Sequence, residues 1–398
     1  MQNARQLILL LGALAAFGPL AIDLYLPALP AMAQGLSASP ARVQASITVF
    51  LAGFSTGMLL YGPISDRYGR RAVLLSGIAL FCVASLGCLM ATAVEPLILA
   101  RFAQALGGGA ASVLARAVAR DLYEPAEAIQ KLSLMAMVTS IAPLLAPLLG
   151  SGILALFGWR GTFAALLVWG VVSLLVVWRG LPESLPRERR GQMSMHAAFS
   201  AYFRLGVDPV ALGLLLAGGM SFAAMFAYIT ASPFFFISLL HYSPTEYGLV
   251  FAVNAVGIFT ANYLNSQQVR TRGPTLMAGL GSFIGLAGAL LLLSAVSFGG
   301  VTTPTLLIGL FIVVSMTGLL GANCVGLLMA RYSQNAGAAA ALFGCAQFGF
   351  GMCASAAVNY LHDGSGRPMA WVILACSVLS VLGYVLFRRH ARRAAGTA

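Results

Sequence analysis

The chain alternates between long apolar runs and short polar breaks, and twelve such runs can be marked. To within a few residues they cover 7–29, 43–63, 72–92, 97–118, 131–153 and 160–180, then 209–235, 245–265, 275–297, 304–328, 336–360 and 368–387. A helix rises about 1.5 Å per residue, so about 20 apolar residues cross the hydrocarbon core of a bilayer. Each run is therefore predicted to be a membrane-spanning helix. The one long break, 181–208, carries Arg187, Arg189 and Arg190. Inside it, residues 193–205 (MSMHAAFSAYFRL) have the pattern of a helix lying flat in the membrane interface. The expected fold class is an all-α membrane protein: an N-terminal six-helix bundle over 1–180, a cytoplasmic linker over 181–208, and a C-terminal six-helix bundle with a cytoplasmic tail over 209–398.

Composition sharpens this. Hydrophobic residues make up 60% of the 398 positions, mean hydropathy is +0.90, and only 9% are charged. Soluble domains are roughly 25% charged, so a water-soluble fold could not cover its surface with this sequence. Arg5, the run from Leu7 and the small-residue step Ala31-Met32-Ala33 imitate a secretory signal. The run is long for a signal core and contains Asp23, so an uncleaved first helix is expected. The arginines set the orientation. With the N-terminus inside, Arg42, Arg160 and Arg367 fall on outer loops, Arg101 and Arg116 within a span, and the remaining 18 of 23 cations in the cytoplasm. Both termini are expected there.

Other classes are excluded by what is missing. Lys131 is the only lysine and is not preceded by glycine, so no phosphate-binding loop of an ATP-driven motor is present. The arginines punctuate apolar runs and form no nucleic-acid patch. All six cysteines lie in apolar stretches without metal-like spacing, and no metal is expected. The four histidines fall in loops or tails, leaving no catalytic constellation and no buried histidine relay. Gly53-Phe54-Ser55-Thr56-Gly57 matches a hydrolase nucleophile elbow in letters only, since no strand precedes it; small-residue packing is its expected role.

The two halves repeat weakly at an offset of 203: Pro30 falls on Pro233, Arg67 on Arg270, and Ala146 on Gly349. Two six-helix halves related by a repeat suggest alternating access around a central cavity. Channels and membrane enzymes do not require such duplication.

Between spans two and three stands G-P-I-S-D-R-Y-G-R-R, residues 62–71. A stop signal would need the arginines but not Asp66 or the glycines. The segment resembles the signature loop of the major facilitator superfamily at every defining position: Gly62, Asp66, Arg67, Gly69, Arg70 and Arg71. That resemblance implies a charge network, with Asp66 at a helix N-terminus, that holds the two halves together in the outward-open state; Asp121, beside Arg120, is expected to join Asp66 and Arg67 in it. The second-half counterpart, 265–273 (NSQQVRTRG), keeps Arg270 but has Val269 at the acidic position.

Ten of the eleven acids lie in loops or at span edges; Asp23 alone sits well inside an apolar run. An intramembrane carboxylate costs on the order of 2.5–3.5 kcal/mol on insertion scales, and its default reading is functional. Asp23 is the candidate proton-coupling group, and it would also attract a cationic substrate. A salt bridge to Arg101 or Arg116 is the alternative. The surrounding P-L-A-I-D-L-Y-L-P-A-L-P (19–30) is similar to the first-helix motif of twelve-helix drug:proton antiporters, in the form of the bicyclomycin-resistance (Bcr/CflA) subfamily. Arg101 and Gln104 match the superfamily's fourth-helix R-x-x-Q-G, with Ala105 for the glycine, and the resemblance implies a part for Arg101 in proton transfer. Pro143 and Pro147, in A-P-L-L-A-P-L-L-G-S (142–151), resemble the antiporter kink motif of span five, with Ala at its early glycines.

The resemblance implies export of small amphiphilic drugs (bicyclomycin, chloramphenicol or sulfonamide-like) in exchange for protons, across a bacterial inner membrane. A metabolite or amino-acid exporter or symporter, for cysteine for example, is the alternative. No cofactor is expected beyond the proton as coupling ion; the expected partners are a small-molecule drug, protons and lipid, with no nucleic acid and a single copy of the chain. Polar or aromatic residues inside spans are the candidate substrate contacts: Asp23, Tyr25, Gln104, Phe226, Tyr228, Asn254, Asn323 and Gln347, with Asn262, Met225 and Phe234 beside them.

Overall fold

The structure, a computed structural model, describes residues 4–191, 195–297 and 303–396. The first apolar run is divided among α1 (Ala4–Ala15), α2 (Phe17–Asp23) and α3 (Leu29–Gly35). α4 (Pro40–Tyr68), α5 (Arg70–Met90), α6 (Val94–Leu122) and α7 (Pro125–Gly180) complete the first half. α8 (Met195–Val207) lies in the long break; Met193 and Ser194 of the expected interfacial segment fall outside the described residues. The second half comprises α9 (Pro209–Pro233), α10 (Pro244–Arg272), α11 (Pro274–Ser297), α12 (Thr303–Arg331), α13 (Ala336–Tyr360) and α14 (Arg367–Gly396). Proline opens α4, α7, α9, α10 and α11, at the position where its missing N–H has no helical partner to lose.

Ten of these helices are long and apolar enough to cross a membrane, or eleven when the first run is counted as one span bent by 48°. α7 is too long for a single crossing: 56 residues would extend about 84 Å, well over twice a bilayer core. It breaks at Gly158, whose φ of +67° and ψ of −177° no helix contains. Residues 125–157 and 159–180 are thus two spans, which makes twelve among the described residues.

The bend in the first run has an identifiable donor balance. Pro19 has no N–H, so the carbonyl of Ala15 lacks its helical partner. The Ser112 hydroxyl of α6 donates to that carbonyl at 3.1 Å.

The chain divides into two compact units: residues 1–198 with 242–252, and residues 199–241 with 253–398. In the first, α6 is the hub, packed against α4 and α5. The approach is close enough that a Cβ on Gly53 would sit 2.7 Å from the Phe102 carbonyl, which gives the elbow-like letters a packing role. In the second, α9 is the hub. A Cβ on Gly213 would meet the Phe387 backbone nitrogen of α14 at 2.6 Å. α8 buries Ala198, Ala201, Tyr202 and Leu205, while Phe199, Phe203 and Val207 are exposed along its other side.

Candidate functional site

Asp23 is the last residue of α2. Pro27, four residues on, cannot donate to its carbonyl, so the helix stops here and resumes through a 3-10 turn over Leu26–Ala28. The proline motif therefore creates a broken helix at the one acid, among the described residues, that lies well inside an apolar run. Asp23 is 4% exposed, and among the described residues it forms no hydrogen bond or ion pair. Gly150 of α7 packs directly onto the backbone of Leu24, leaving no space for a side chain. Pro143 and Pro147 lie in the same helix as Gly150, a helix that packs against α2 and the 3-10 turn.

Arg101 is fully buried and is the largest fully buried side chain of the described residues. Its guanidinium lies 4.2 Å from the ring centres of both Tyr25 and Phe50, with Phe163 at 5.9 Å. Desolvated cation–π contacts of this kind contribute about 2 kcal/mol each. Nη1 donates to Gln104 Oε1, and Gln104 Nε2 passes the chain on to Ser85 Oγ at 2.7 Å. Tyr25 Oη meets Ser46 Oγ at 3.2 Å. Nε and Nη2 have no hydrogen-bond partner, and no carboxylate pairs with the cation. The ion pair between Asp23 and Arg101 weighed above is absent, and so is one between Asp23 and Arg116, whose side chain is exposed.

At the opposite end of the same unit, the signature loop organises around Arg70. Gly69 turns the chain at a φ of +96°, a conformation that favours glycine, and so places Arg70 at the start of α5 facing inward. Arg70 pairs with Asp66 at 2.6 Å and with Asp121 at 2.9 Å, and donates to Ser65 Oγ at 2.5 Å. Two expectations need correction. Asp121 joins Asp66 through Arg70, while Arg67 is exposed over the Tyr68 ring. Asp66 sits in the last turn of α4, and the carboxylate at a helix N-terminus is Glu183, which accepts from the backbone N–H of Arg70 at 2.9 Å and of Arg71 at 3.3 Å. The start of the linker is accordingly no free loop: Arg190 pairs with Glu183 at 3.4 Å, Ser184 donates to Asp121, and the Gly191 N–H donates to the Asp66 carbonyl. Arg71 donates to the Trp178 carbonyl at 2.6 Å. Around Gly62 nothing lies within 4 Å of where a side chain would start.

The second unit holds the remaining candidates in separate groups. Tyr228 accepts from Asn254 Nδ2 at 3.1 Å. Phe226 packs with Phe222 and Phe348, at 5.0 and 6.2 Å between ring centres. Asn323 donates to Asn265 at 2.7 Å, and Gln347 is half-buried on α13. Phe226 and Tyr228 stand at the 203 offset from Asp23 and Tyr25, so the second unit keeps the tyrosine and has an aromatic where the first has its carboxyl. Sequence reasoning missed Ser46, Phe50, Ser85, Phe163, Ser65 and Glu183. It also missed Gln44, which is buried with its Oε1 unpartnered.

A broken, acid-bearing first span and a glycine-turned charge network on a twelve-span helical fold define a membrane transporter, not an enzyme. The Major Facilitator Superfamily model matches residues 9–356, and the chain belongs to that family. It is 32% identical to the uncharacterised MFS-type transporter YdgK of Bacillus subtilis, covering 95% of this chain and 94% of the relative. It is 29% identical to a bicyclomycin resistance protein homolog of Haemophilus influenzae, over 95% and 94% of the two chains. To the multidrug resistance protein MdtL of Escherichia coli it is 28% identical, over 93% and 92%. The fold is also that of a solved D-xylose-proton symporter, with a TM-score of 0.74 at 19% identity over 96% of each chain.

Proposed function

We propose that this transporter exports small amphiphilic drugs in exchange for protons, with Asp23 as the coupling group. The observation that carries the reading is a pair of buried ionisable groups, Asp23 and Arg101, of opposite sign and each without an ion-pair partner. A carboxylate in an apolar surround needs a cation, and the two on offer are a proton and the amine of a substrate. The two occupants exclude one another, which is the logic of exchange. Arg101, buried against ring faces with no carboxylate partner, is assigned to the proton pathway alongside Asp23. Tyr25 and Gln104 act on this guanidinium, and Phe226, Tyr228, Asn254, Asn323 and Gln347 offer the second unit's contacts to cargo. The names of the bicyclomycin and multidrug relatives support drugs as the cargo. The protein works as a single copy in the bacterial inner membrane and needs no cofactor.

The test uses inverted vesicles carrying a pH gradient. Wild-type protein is expected to dissipate the gradient on addition of drug, and Asp23→Asn to lose that response while keeping its level in the membrane. Transport by Asp23→Asn equal to wild type would remove Asp23 from coupling. A gradient collapsed by amino acids and by no drug would replace drugs as cargo.

A further inference from the structure

The end of α14 carries four arginines, Arg388, Arg389, Arg392 and Arg393, with no acid in the helix. Arg388, Arg389 and Arg392, with Tyr384 and Val385, border an open surface depression of about 260 Å³. Arg388 is fixed there, since its Nη1 donates to Tyr384 Oη at 2.9 Å. Among the described residues neither Arg389 nor Arg392 has an ion pair or hydrogen bond. The acid that opens the neighbouring α9, Asp208, is already engaged by the Tyr332 hydroxyl and the Val210 N–H.

The second observation is where this depression begins. Trp371, Val378 and Leu382 are 55%, 40% and 56% exposed. Continued at steps of three and four residues, the same helical face reaches Val385, Arg389 and Arg392. An exposed apolar stripe long enough to lie along an acyl chain therefore runs up to the arginines at the end of the same helix. Positive charge at a span's end serves topology, but topology calls for neither a tyrosine-held guanidinium nor this alignment.

We propose that this end of α14 binds an anionic phospholipid, its phosphate held by Arg388, Arg389 and Arg392 and an acyl chain resting on the stripe that ends at Leu382. Guanidinium groups present paired donors that suit phosphate oxygens, and basic pockets at span ends are where anionic headgroups dock. The stripe selects a lipid over free phosphate, which shares the charge but has nothing to lay on it.

Native mass spectrometry of the full-length protein, titrated with phosphatidylglycerol and phosphatidylcholine, tests this. Wild type is expected to retain phosphatidylglycerol preferentially. Arg389→Gln is expected to weaken that retention about fivefold, and the triple glutamine variant at 388, 389 and 392 at least tenfold. Arg367→Gln, the same charge change at the other end of α14, should leave it unaltered. Millimolar inorganic phosphate should displace little of the lipid. Equal retention of the two lipids, an Arg367→Gln effect as large as that of Arg389→Gln, or displacement by phosphate overturns the proposal. Arg389 is exposed, so its single variant folds and keeps the test decisive should the triple variant not. The readout is lipid binding, so it stands or falls apart from drug export.

Discussion

At the residue scale the most unusual object is a guanidinium stabilised by rings instead of by a carboxylate. Arg101 lies between Tyr25 and Phe50, with its donors only partly met by Gln104. The two rings can be separated by experiment. Phe50→Leu keeps the apolar volume but removes one face of the stack, and should cost about 1–2 kcal/mol. Tyr25→Phe keeps the face and removes the bond to Ser46, and should cost about 1 kcal/mol or less. Thermal unfolding in detergent reads both, and an equal or larger loss in Tyr25→Phe would show that the hydroxyl, not the stack, holds Arg101. Asp23, Arg101 and Gln104 were legible because a polar residue in an apolar run is conspicuous. Phe50 and Phe163 were not, because among 23 phenylalanines nothing in the local pattern tells which ring faces a cation.

At the scale of elements, helix ends decide more than helix interiors. The spans follow from their apolar lengths, and the breaks at Pro19 and Pro27 follow from missing donors. Glu183 could not be read this way: it starts α5 electrostatically from a position 113 residues along the chain. Likewise Arg67 and Arg70 look equivalent in a string of charges, and only the turn at Gly69 sends one outward and the other inward. Glu183→Ala should destabilise the first unit by about 0.5–2 kcal/mol, the range for a lost N-terminal cap, measured as a lower melting temperature. A melting temperature unchanged by that substitution would assign the capping of α5 elsewhere. Asp208 caps α9 in the same way. Burial there opposes ionisation, but the Tyr332 hydroxyl and the N–H groups of Val210 and Ala211 outweigh it and hold the carboxyl below its ordinary value of 3.8. A depressed value means stability that is present above pH 3.8 and lost as pH falls through the lower, folded-state value. Asp208→Asn should therefore flatten the acid limb of the melting curve below about pH 4, and an unchanged limb would place that titration in other carboxylates.

At the scale of the whole molecule, the twelve crossings were legible and the division into units was legible only in outline. Residues 242–252 cluster with 1–198 although they begin an unbroken apolar run with 253–265, and sequence continuity carries no sign of that. Orientation remains the largest consequence of the charge pattern, and side-chain placement adds to it. Two of the three cations on the loops read as outer are engaged locally: Arg42 pairs with Glu95, and Arg160 donates to the Ala91 carbonyl at 2.9 Å while lying 4.1 Å from the Trp159 ring. Those at the end of α14 have no acid in their helix. Uncompensated arginines belong on the side that chains retain during insertion, where translocation would be opposed. Fusions place the faces directly. A fluorescent protein joined after Ala398, or within the 187–190 stretch, is expected to fold and fluoresce, because it stays inside. Alkaline phosphatase inserted at Asp363 is expected to be active, because it is exported. An active phosphatase at the C-terminus together with an inactive one at Asp363 would invert the molecule, and with it the direction of the proposed exchange.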